Sequence, residues 1–262
     1  MTSLASRTIE ALRREHDALA SLVPAFAEDD LAKPSGSSDW SVAQVLSHLG
    51  SGAEISLASL QVAQGGRDAL GDGFNRSVWD RWDAMTPAEQ RAGFLEHDDA
   101  LVGELEALTH SQRDSLEVSL GFLPSPVSLA AFAGLRLGEV AHHTWDVRVA
   151  VDPEAVLLED SAVVHAEHLS TDLGFMLGFL GKADRIEESV VLGLSDSGYS
   201  LIVSDTVALE SDAGQATATF TGALEAALRL ITGRLTPTYT PPSATVTGNV
   251  SLDDLRAVFP GF

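Results

Sequence analysis

The stretch GLRLGEVAHHTWDVRVA, residues 134–150, places a carboxylate four positions before an imidazole, as Glu139 and His143. On an α-helix, positions i and i+4 lie on one face, so these two side chains would point in the same direction. Carboxylates and imidazoles are common ligands of divalent metal ions. The same spacing is also typical of ion pairs on solvated helix faces, so the pair by itself predicts either a metal site or a surface ion pair.

A third ligand is offered by the segment VAQVLSHLGSGAE, where His48 lies at the edge of an apolar stripe. Helical bundles build metal sites from inward side chains on facing helices. Two imidazoles and one carboxylate form a ligand set of catalytic zinc sites, which keep a further position for water or substrate. A divalent-metal site at His48, Glu139 and His143 is therefore one interpretation, with zinc favoured and nickel, iron and manganese as alternatives, and the spacing alone does not decide for it. A hydrogen-bonded core histidine is the competing interpretation of His48.

The remaining histidines give weaker patterns. His142 would point about 100 degrees away from His143 on a helix, so a supporting role beside the ligands is the most that its position predicts. Three others lie among charged residues and are predicted to be on the surface: His16, His97 and His110.

Four long segments with helical spacing of apolar residues would position the ligands. Ser41 is a candidate N-cap of the second segment, and Thr86 with Glu89 forms a candidate capping box at the start of the third. The fourth, SPVSLAAFAGLRLGEVAHHTWDVRVAV, ends near residue 152. Four such helices predict a bundle. The connection GGRDALGDGFNRSVWDRWDAM, between the second and third, breaks this pattern and is predicted to be irregular.

The second half of the chain changes its period. ESVVLGLSDSGYSLIVSDTVALESD alternates like strands around a turn at residues 196–198, and ATATFTG and SATVTGN are predicted to be further strands. The segments SAVVHAEHLSTDLGFMLGFLGKA, ALEAALRLITGRL and SLDDLRAVF are predicted to be helices. The expected fold is therefore α+β with two domains, a helical bundle over residues 1–151 and a small α+β domain over residues 152–262.

Composition narrows the classes of function. The formal net charge is -22, which disfavours binding to nucleic acids or anionic membranes. No run of apolar residues is long enough for a membrane span, and the N-terminus lacks a secretory signal pattern, so a cytoplasmic location is expected. The chain has no cysteine, so any thiol chemistry would need a thiol from a small molecule. The expected partners are small molecules, and the protein is expected to be a monomer or a homodimer.

Several motifs resemble those of one family. DWSVAQVLSHLGSGAEI is similar to the Trp-(Ser/Thr)-Val…His-Leu signature of the mycothiol-dependent maleylpyruvate isomerase family, and GEVAHHTWDVRVA is similar to its Glu-x-x-x-His signature. ALRLITGRL and ATVTGNVSLDDLRAVF resemble segments of the C-terminal domain of that family. The resemblance implies a DinB-like metal-binding four-helix bundle followed by a sterol-carrier-like α+β domain. It also implies that the metal ligands are His48, Glu139 and His143.

The resemblance further implies an enzyme that depends on a divalent metal, expected to be Zn²⁺, and on a low-molecular-weight thiol such as mycothiol. Such an enzyme would add the thiol to an electrophile, for isomerisation or for S-transfer. Arg234 is the candidate catalytic residue, because a dianionic substrate needs a cation in a protein of such negative charge; a structural salt bridge is the alternative role. Two other classes stay open, a non-enzymatic small-molecule or metal-binding protein on the same scaffold and a structural or regulatory dimer with an incidental metal.

Overall fold

A computed structural model describes residues 2–37, 39–211 and 213–261 of the chain. The chain divides into two compact units, Met1–Pro153 and Glu154–Phe262. The first unit contains seven α-helices among its described residues and one short antiparallel pair of strands: α1 (Leu4–Leu22), α2 (Glu28–Leu31), α3 (Val42–Ala63), α4 (Phe74–Asp83), α5 (Pro87–Ala107), α6 (His110–Ser115), β1 (Glu117–Val118), β2 (Val127–Ser128) and α7 (Leu129–Val149).

The long helices begin where the sequence supplies caps. The Ser41 side chain accepts from the main-chain N–H of Gln44, and the Gln44 side chain accepts from that of Ser41, which completes a capping box at the start of α3. Thr86 and Glu89 form the same arrangement before α5. These interactions satisfy N–H groups that the first turn of a helix leaves without partners, and both predicted N-termini are confirmed.

The four long helices α1, α3, α5 and α7 form the bundle. Helix α3 packs against α5 and α7, and α1 packs against α5 and α7. Large side chains fill the space between them almost without exposure to solvent, among them Leu12, Leu46, Phe94 and Trp145. This packing places α3 next to α7, the two helices that carry the predicted metal ligands.

Two details of the first unit differ from the prediction. The connection predicted to be irregular contains α4, whose Trp82 is 1% exposed and fits against Gly50 of α3 and Gly93 of α5. The glycines leave the space that the indole ring occupies. Helix α7 starts at Leu129, later than predicted, because the two residues before it pair with β1 instead.

The second unit combines a five-stranded sheet with helices. Its elements are α8 (Glu159–Leu169), α9 (Leu177–Leu180), β3 (Val190–Leu194), β4 (Tyr199–Val203), β5 (Val207–Glu210), β6 (Ala218–Thr221), α10 (Leu224–Ile231), β7 (Thr245–Gly248) and α11 (Leu252–Val258). The strand order is β5-β4-β3-β6-β7, with β3 and β6 parallel and the other neighbours antiparallel. The predicted turn between β3 and β4 is present, with positive φ angles at Asp196 and Gly198.

The helix predicted over residues 161–183 is interrupted. Helix α8 ends at Leu169, where Ser170 and Thr171 donate their hydroxyl groups to the carbonyl of Glu167. A 3₁₀ turn at Gly174–Met176 and the short α9 follow. Hydroxyl side chains that compete for helix carbonyls favour such an end.

The expected fold class, a helical N-terminal part and a sheet-containing C-terminal part, is confirmed. Within residues 2–37, 39–211 and 213–261, no helix combines the length and the apolar character that a membrane crossing requires.

Candidate metal centre

The structure brings the three predicted ligands together. His48 lies in the second turn of α3, while Glu139 and His143 lie one turn apart in α7. One donor atom from each of these side chains falls within 4.8 Å of the other two. The i, i+4 spacing on α7 and the packing of α3 beside it therefore produce a single cluster of two imidazoles and a carboxylate.

Both imidazoles of the cluster lie near the same carboxylate oxygen, Oε2 of Glu139. His48 Nε2 lies 2.9 Å from Glu139 Oε2, and His143 Nε2 lies 3.7 Å from the same atom. The two imidazole rings meet nearly edge to face, with their centroids 4.8 Å apart. Both Nε2 atoms thus face the carboxylate, which is the orientation that a shared cation requires.

A buried carboxylate orients His143 from behind. Asp146 lies one turn further along α7, is fully buried, and places Oδ2 2.8 Å from His143 Nδ1. A carboxylate can only accept, so Nδ1 carries the proton, and in the neutral ring Nε2 is left with a lone pair. Metal-binding histidines are commonly held in this way, because the second hydrogen bond fixes both the tautomer and the plane of the ring.

Trp40 covers the two imidazoles on another side. Its ring stacks on His143, with centroids 5.9 Å apart and planes 21° apart, and it lies 5.2 Å from the His48 ring. The loop before α3 can approach α7 because residue 36 is glycine: its N–H donates to the carbonyl of Asp146 at 2.9 Å, and a Cβ atom there would come within 2.8 Å of Asp146 Oδ1. The loop thus gives the cluster an aromatic wall.

The charges around Glu139 favour its ionised form. Desolvation of the carboxyl opposes ionisation, but the hydrogen bond from His48 and favourable electrostatic interactions with His143, His48 and Arg136 outweigh it and hold the pKa of Glu139 well below its usual range. Half of the side chain remains exposed to solvent. The cluster therefore offers an anionic oxygen that solutes can reach.

One expectation about the histidines is corrected. His16 is buried and bonds to Asp98 in the interior of the bundle, although its charged neighbours in sequence predicted the surface. Arg136 is also buried and bonds to Asp98. His142 points elsewhere than the cluster, as expected, and its Nδ1 lies 2.8 Å from the carbonyl of Gly138.

Arg234 lies in the second unit, just after α10, and is partly exposed. One of its guanidinium nitrogens donates to the carbonyl of Thr232 at 3.3 Å. Its role in binding an anionic substrate stays a prediction.

Two residues of the site, Asp146 and Trp40, had no role in the prediction. The signal for Asp146 is present in the sequence: a carboxylate three positions after a candidate histidine ligand lies on nearly the same helix face. Trp40 is the tryptophan of the Trp-(Ser/Thr)-Val…His-Leu signature, but the signature does not give its place over the histidines, which depends on how the loop folds back against α7.

The donor set fits a divalent cation on chemical grounds. Two imidazole nitrogens and one carboxylate oxygen suit zinc and other borderline metals, and the buried Asp146 supplies the support behind a ligand that such sites usually have.

Comparison with known families identifies the chain. A family model described as the mycothiol maleylpyruvate isomerase N-terminal domain matches residues 12–148, more than half of the sequence. The chain belongs to the mycothiol maleylpyruvate isomerase family. The matched region of this family member contains all three candidate ligands as well as Asp146 and Trp40. The resemblance inferred from the sequence motifs is thereby confirmed.

Solved structures agree with this family assignment. The chain is similar to two crystal structures of a protein described as the mycothiol-dependent maleylpyruvate isomerase, one of them a mutant in which a histidine is replaced by alanine. The identities are 16% and 17%, the TM-score is 0.64 for both, and each alignment covers 95% of this chain and 98% of the other. At this identity the match shows a shared fold. No match was found among the curated proteins.

Proposed function

We propose that this protein is a metal- and thiol-dependent enzyme that adds a low-molecular-weight thiol, such as mycothiol, to an electrophilic small molecule. The reaction is either an isomerisation or an S-transfer. The observation that carries the proposal is the convergence of His48, Glu139 and His143, with a buried carboxylate behind one of the imidazoles. Membership of a family described by mycothiol and by maleylpyruvate isomerase supports the choice of thiol and reaction class.

The three converging side chains would hold a divalent metal, with Zn²⁺ as the best match to the donor set. When bound, the metal supplies the positive charge that makes a thiol acidic enough to be a thiolate at neutral pH. The chain has no cysteine of its own, so the nucleophilic sulfur has to come from the cosubstrate. Addition of the thiolate to an activated alkene makes its double bond single, and elimination after rotation regenerates the thiol.

The protein side chains have separate tasks in this proposal. Asp146 keeps the proton of His143 on Nδ1, so that Nε2 stays available as a donor. Trp40 presents an aromatic face beside the two imidazoles, which limits access of water on that side. Arg234 is proposed to bind a carboxylate of the substrate, because a guanidinium matches a carboxylate with two parallel hydrogen bonds.

A non-enzymatic binder of an apolar molecule is the second candidate. The second unit contains a cavity of about 210 Å³ with largely apolar walls, which include Leu230, Leu235 and Phe259. Its volume is below the roughly 300–1,000 Å³ that is typical of ligand pockets. The metal cluster therefore supports the enzyme more strongly than this cavity supports the binder.

The proposal is tested by elemental analysis of the purified protein, followed by assays of isomerisation and of thiol consumption. Maleylpyruvate and other activated alkenes serve as electrophiles, with and without mycothiol. We expect turnover that requires both thiol and metal and that is lost in His48→Ala. His110→Ala, at an exposed histidine outside the cluster, is the matched control and should keep full activity. Protein that is loaded with metal but turns over none of these electrophiles with thiol would overturn the enzyme and favour a binder.

A further inference from the structure

A second group of charged side chains lies in the interior of the bundle. Asp98 of α5 is 1% exposed and accepts two hydrogen bonds, from His16 Nδ1 of α1 at 2.9 Å and from Arg136 Nη2 of α7 at 2.8 Å. Taking such ions out of water costs several kcal/mol per ion, on the order of what good pairing returns. Stability alone is therefore a weak reason for a buried ion pair at this place.

Arg136 connects this group to the helix that carries His48. Its Nη2 also donates to the main-chain carbonyl of Leu49, the residue directly after His48, at 2.8 Å. Arg136 itself lies one turn before Glu139 in α7. The guanidinium group of one α7 residue thus bonds to α3. Helix α7 carries two of the candidate ligands, and α3 carries the third.

Gly52 gives the guanidinium room to reach α3. It lies one turn after His48, and a Cβ atom at this position would come within 2.9 Å of Arg136 Nη1. Glycine in the interior of a helix is less stable than alanine by about 1 kcal/mol. Glycine at position 52 therefore lowers the stability of α3, and the space that it leaves is occupied by the end of the Arg136 side chain.

We propose that Arg136, anchored by Asp98 and His16, is a positioning residue that fixes the separation of α3 and α7 and thereby the affinity of the metal site. Donor atoms have to stay within about 0.5 Å of a productive arrangement for tight binding, and a rigid cross-link between the two ligand-bearing helices provides that. The inference rests on the metal site of the proposed function, but it is independent of the thiol and of the electrophile.

The test measures Zn²⁺ affinity by calorimetry, the visible absorption spectrum of the Co²⁺-loaded protein, and the thermal midpoint Tm of the metal-free protein. Arg136→Met removes the cross-link and keeps most of the side-chain volume. We expect Zn²⁺ binding at least about 10-fold weaker and an altered Co²⁺ spectrum, comparable to the loss of a residue that supports a ligand. Arg136→Lys, which keeps the charge, should recover part of the affinity.

A matched control separates positioning from stability. Arg13 also makes ion pairs between helices, to Asp99 at 2.8 Å and to Glu106 at 2.9 Å, but these pairs lie near the surface and join α1 to α5. Arg13→Met should lower Tm and leave Zn²⁺ affinity within about twofold of the wild type. Equal losses of affinity in Arg13→Met and Arg136→Met would show that any loosening of the bundle weakens the site, and would overturn the proposal.

If Arg136→Met folds poorly, two further variants test whether Arg136 positions the metal ligands. The double variant Arg136→Met/Asp98→Asn removes both charges of the buried pair, so that neither is left without its partner. Its Tm should therefore recover relative to Arg136→Met, while its Zn²⁺ affinity stays low. Gly52→Ala should keep or raise Tm, yet weaken Zn²⁺ binding, because its methyl group displaces the flexible end of Arg136. Wild-type affinity in both variants would refute the positioning role. A metal-loaded wild type without thiol-dependent turnover would refute only the proposed enzyme.

Discussion

Replacing Asp146 by asparagine should weaken metal binding while the site keeps its shape. The wild-type hydrogen bond joins a buried carboxylate to His143 Nδ1 at 2.8 Å. Hydrogen bonds to charged groups contribute about 1.5–3 kcal/mol, roughly twice the contribution of neutral ones. Asparagine is nearly the same size and can still accept with its amide oxygen, so the expected loss is about half, on the order of 1.4 kcal/mol.

That free energy corresponds to about a tenfold weaker Zn²⁺ affinity, at the lower end of the effects seen for residues behind metal ligands. Asp146→Ala removes the acceptor altogether and should cost up to about 100-fold. The assay is competitive calorimetry of Zn²⁺ against a chelator at fixed pH, with far-ultraviolet circular dichroism to verify the fold.

The chain provides a matched control for this substitution. His168 Nδ1 lies 2.8 Å from Asp172 Oδ1, the same pair of groups one helical turn apart, in the second unit. Asp172→Asn should leave Zn²⁺ affinity unchanged. If Asp146→Asn folds normally and binds Zn²⁺ within twofold of the wild type, then Asp146 does not orient the ligand and the reasoning about His143 is wrong.

Three further outcomes are expected. Gly50→Ala should destabilise the first unit by about 1–3 kcal/mol or more, because the new Cβ would lie 2.1 Å from the Trp82 ring; chemical denaturation measures this. Burial would raise the pKa of Asp98, but the hydrogen bond from His16 and an arginine guanidinium outweigh it and lower the pKa. The stability from this carboxylate is therefore present above about pH 4 and lost as pH falls through its folded-state pKa, so unfolding titrations of Asp98→Asn should show a weaker acid dependence than the wild type. Arg234→Ala should raise KM or lower kcat in the thiol-dependent assay and leave metal content unchanged.

Local signals in the sequence were sufficient to predict much of the fold. The capping boxes at Ser41 and Thr86 depend on residues three positions apart, and the strands around the turn at Asp196 follow from alternation alone. Glu139 and His143 belong to the same class of signal, because a helix converts their spacing into a shared face. The pairing of these two with His48 needed the family resemblance, since no spacing rule connects α3 to α7.

The parts that could not be predicted depend on distant partners. Trp82 packs α4 against the bundle only because Gly50 and Gly93 open a space for its ring. His16 was expected at the surface because charged residues surround it in sequence, and it is buried because Asp98, 82 positions away, accepts a hydrogen bond from its Nδ1. Whether a polar side chain is buried is decided by the partner that satisfies it, and that partner lies beyond the reach of a periodic pattern.

Three pairs in which an aspartate bonds to a histidine Nδ1 atom, all within the described residues, show why the environment, more than the pair, singles out a metal site. Asp98, Asp146 and Asp172 each lie 2.8 or 2.9 Å from the Nδ1 atom of a histidine. In each pair the carboxylate fixes the tautomer, so the chemistry is decided by what the remaining Nε2 atom meets. For His143 it meets Glu139 and a second imidazole, and among the described residues this is the one group whose donors converge for a metal. A search for metal sites in related sequences should therefore begin with the partner of Nε2 and use the Nδ1 carboxylate as support.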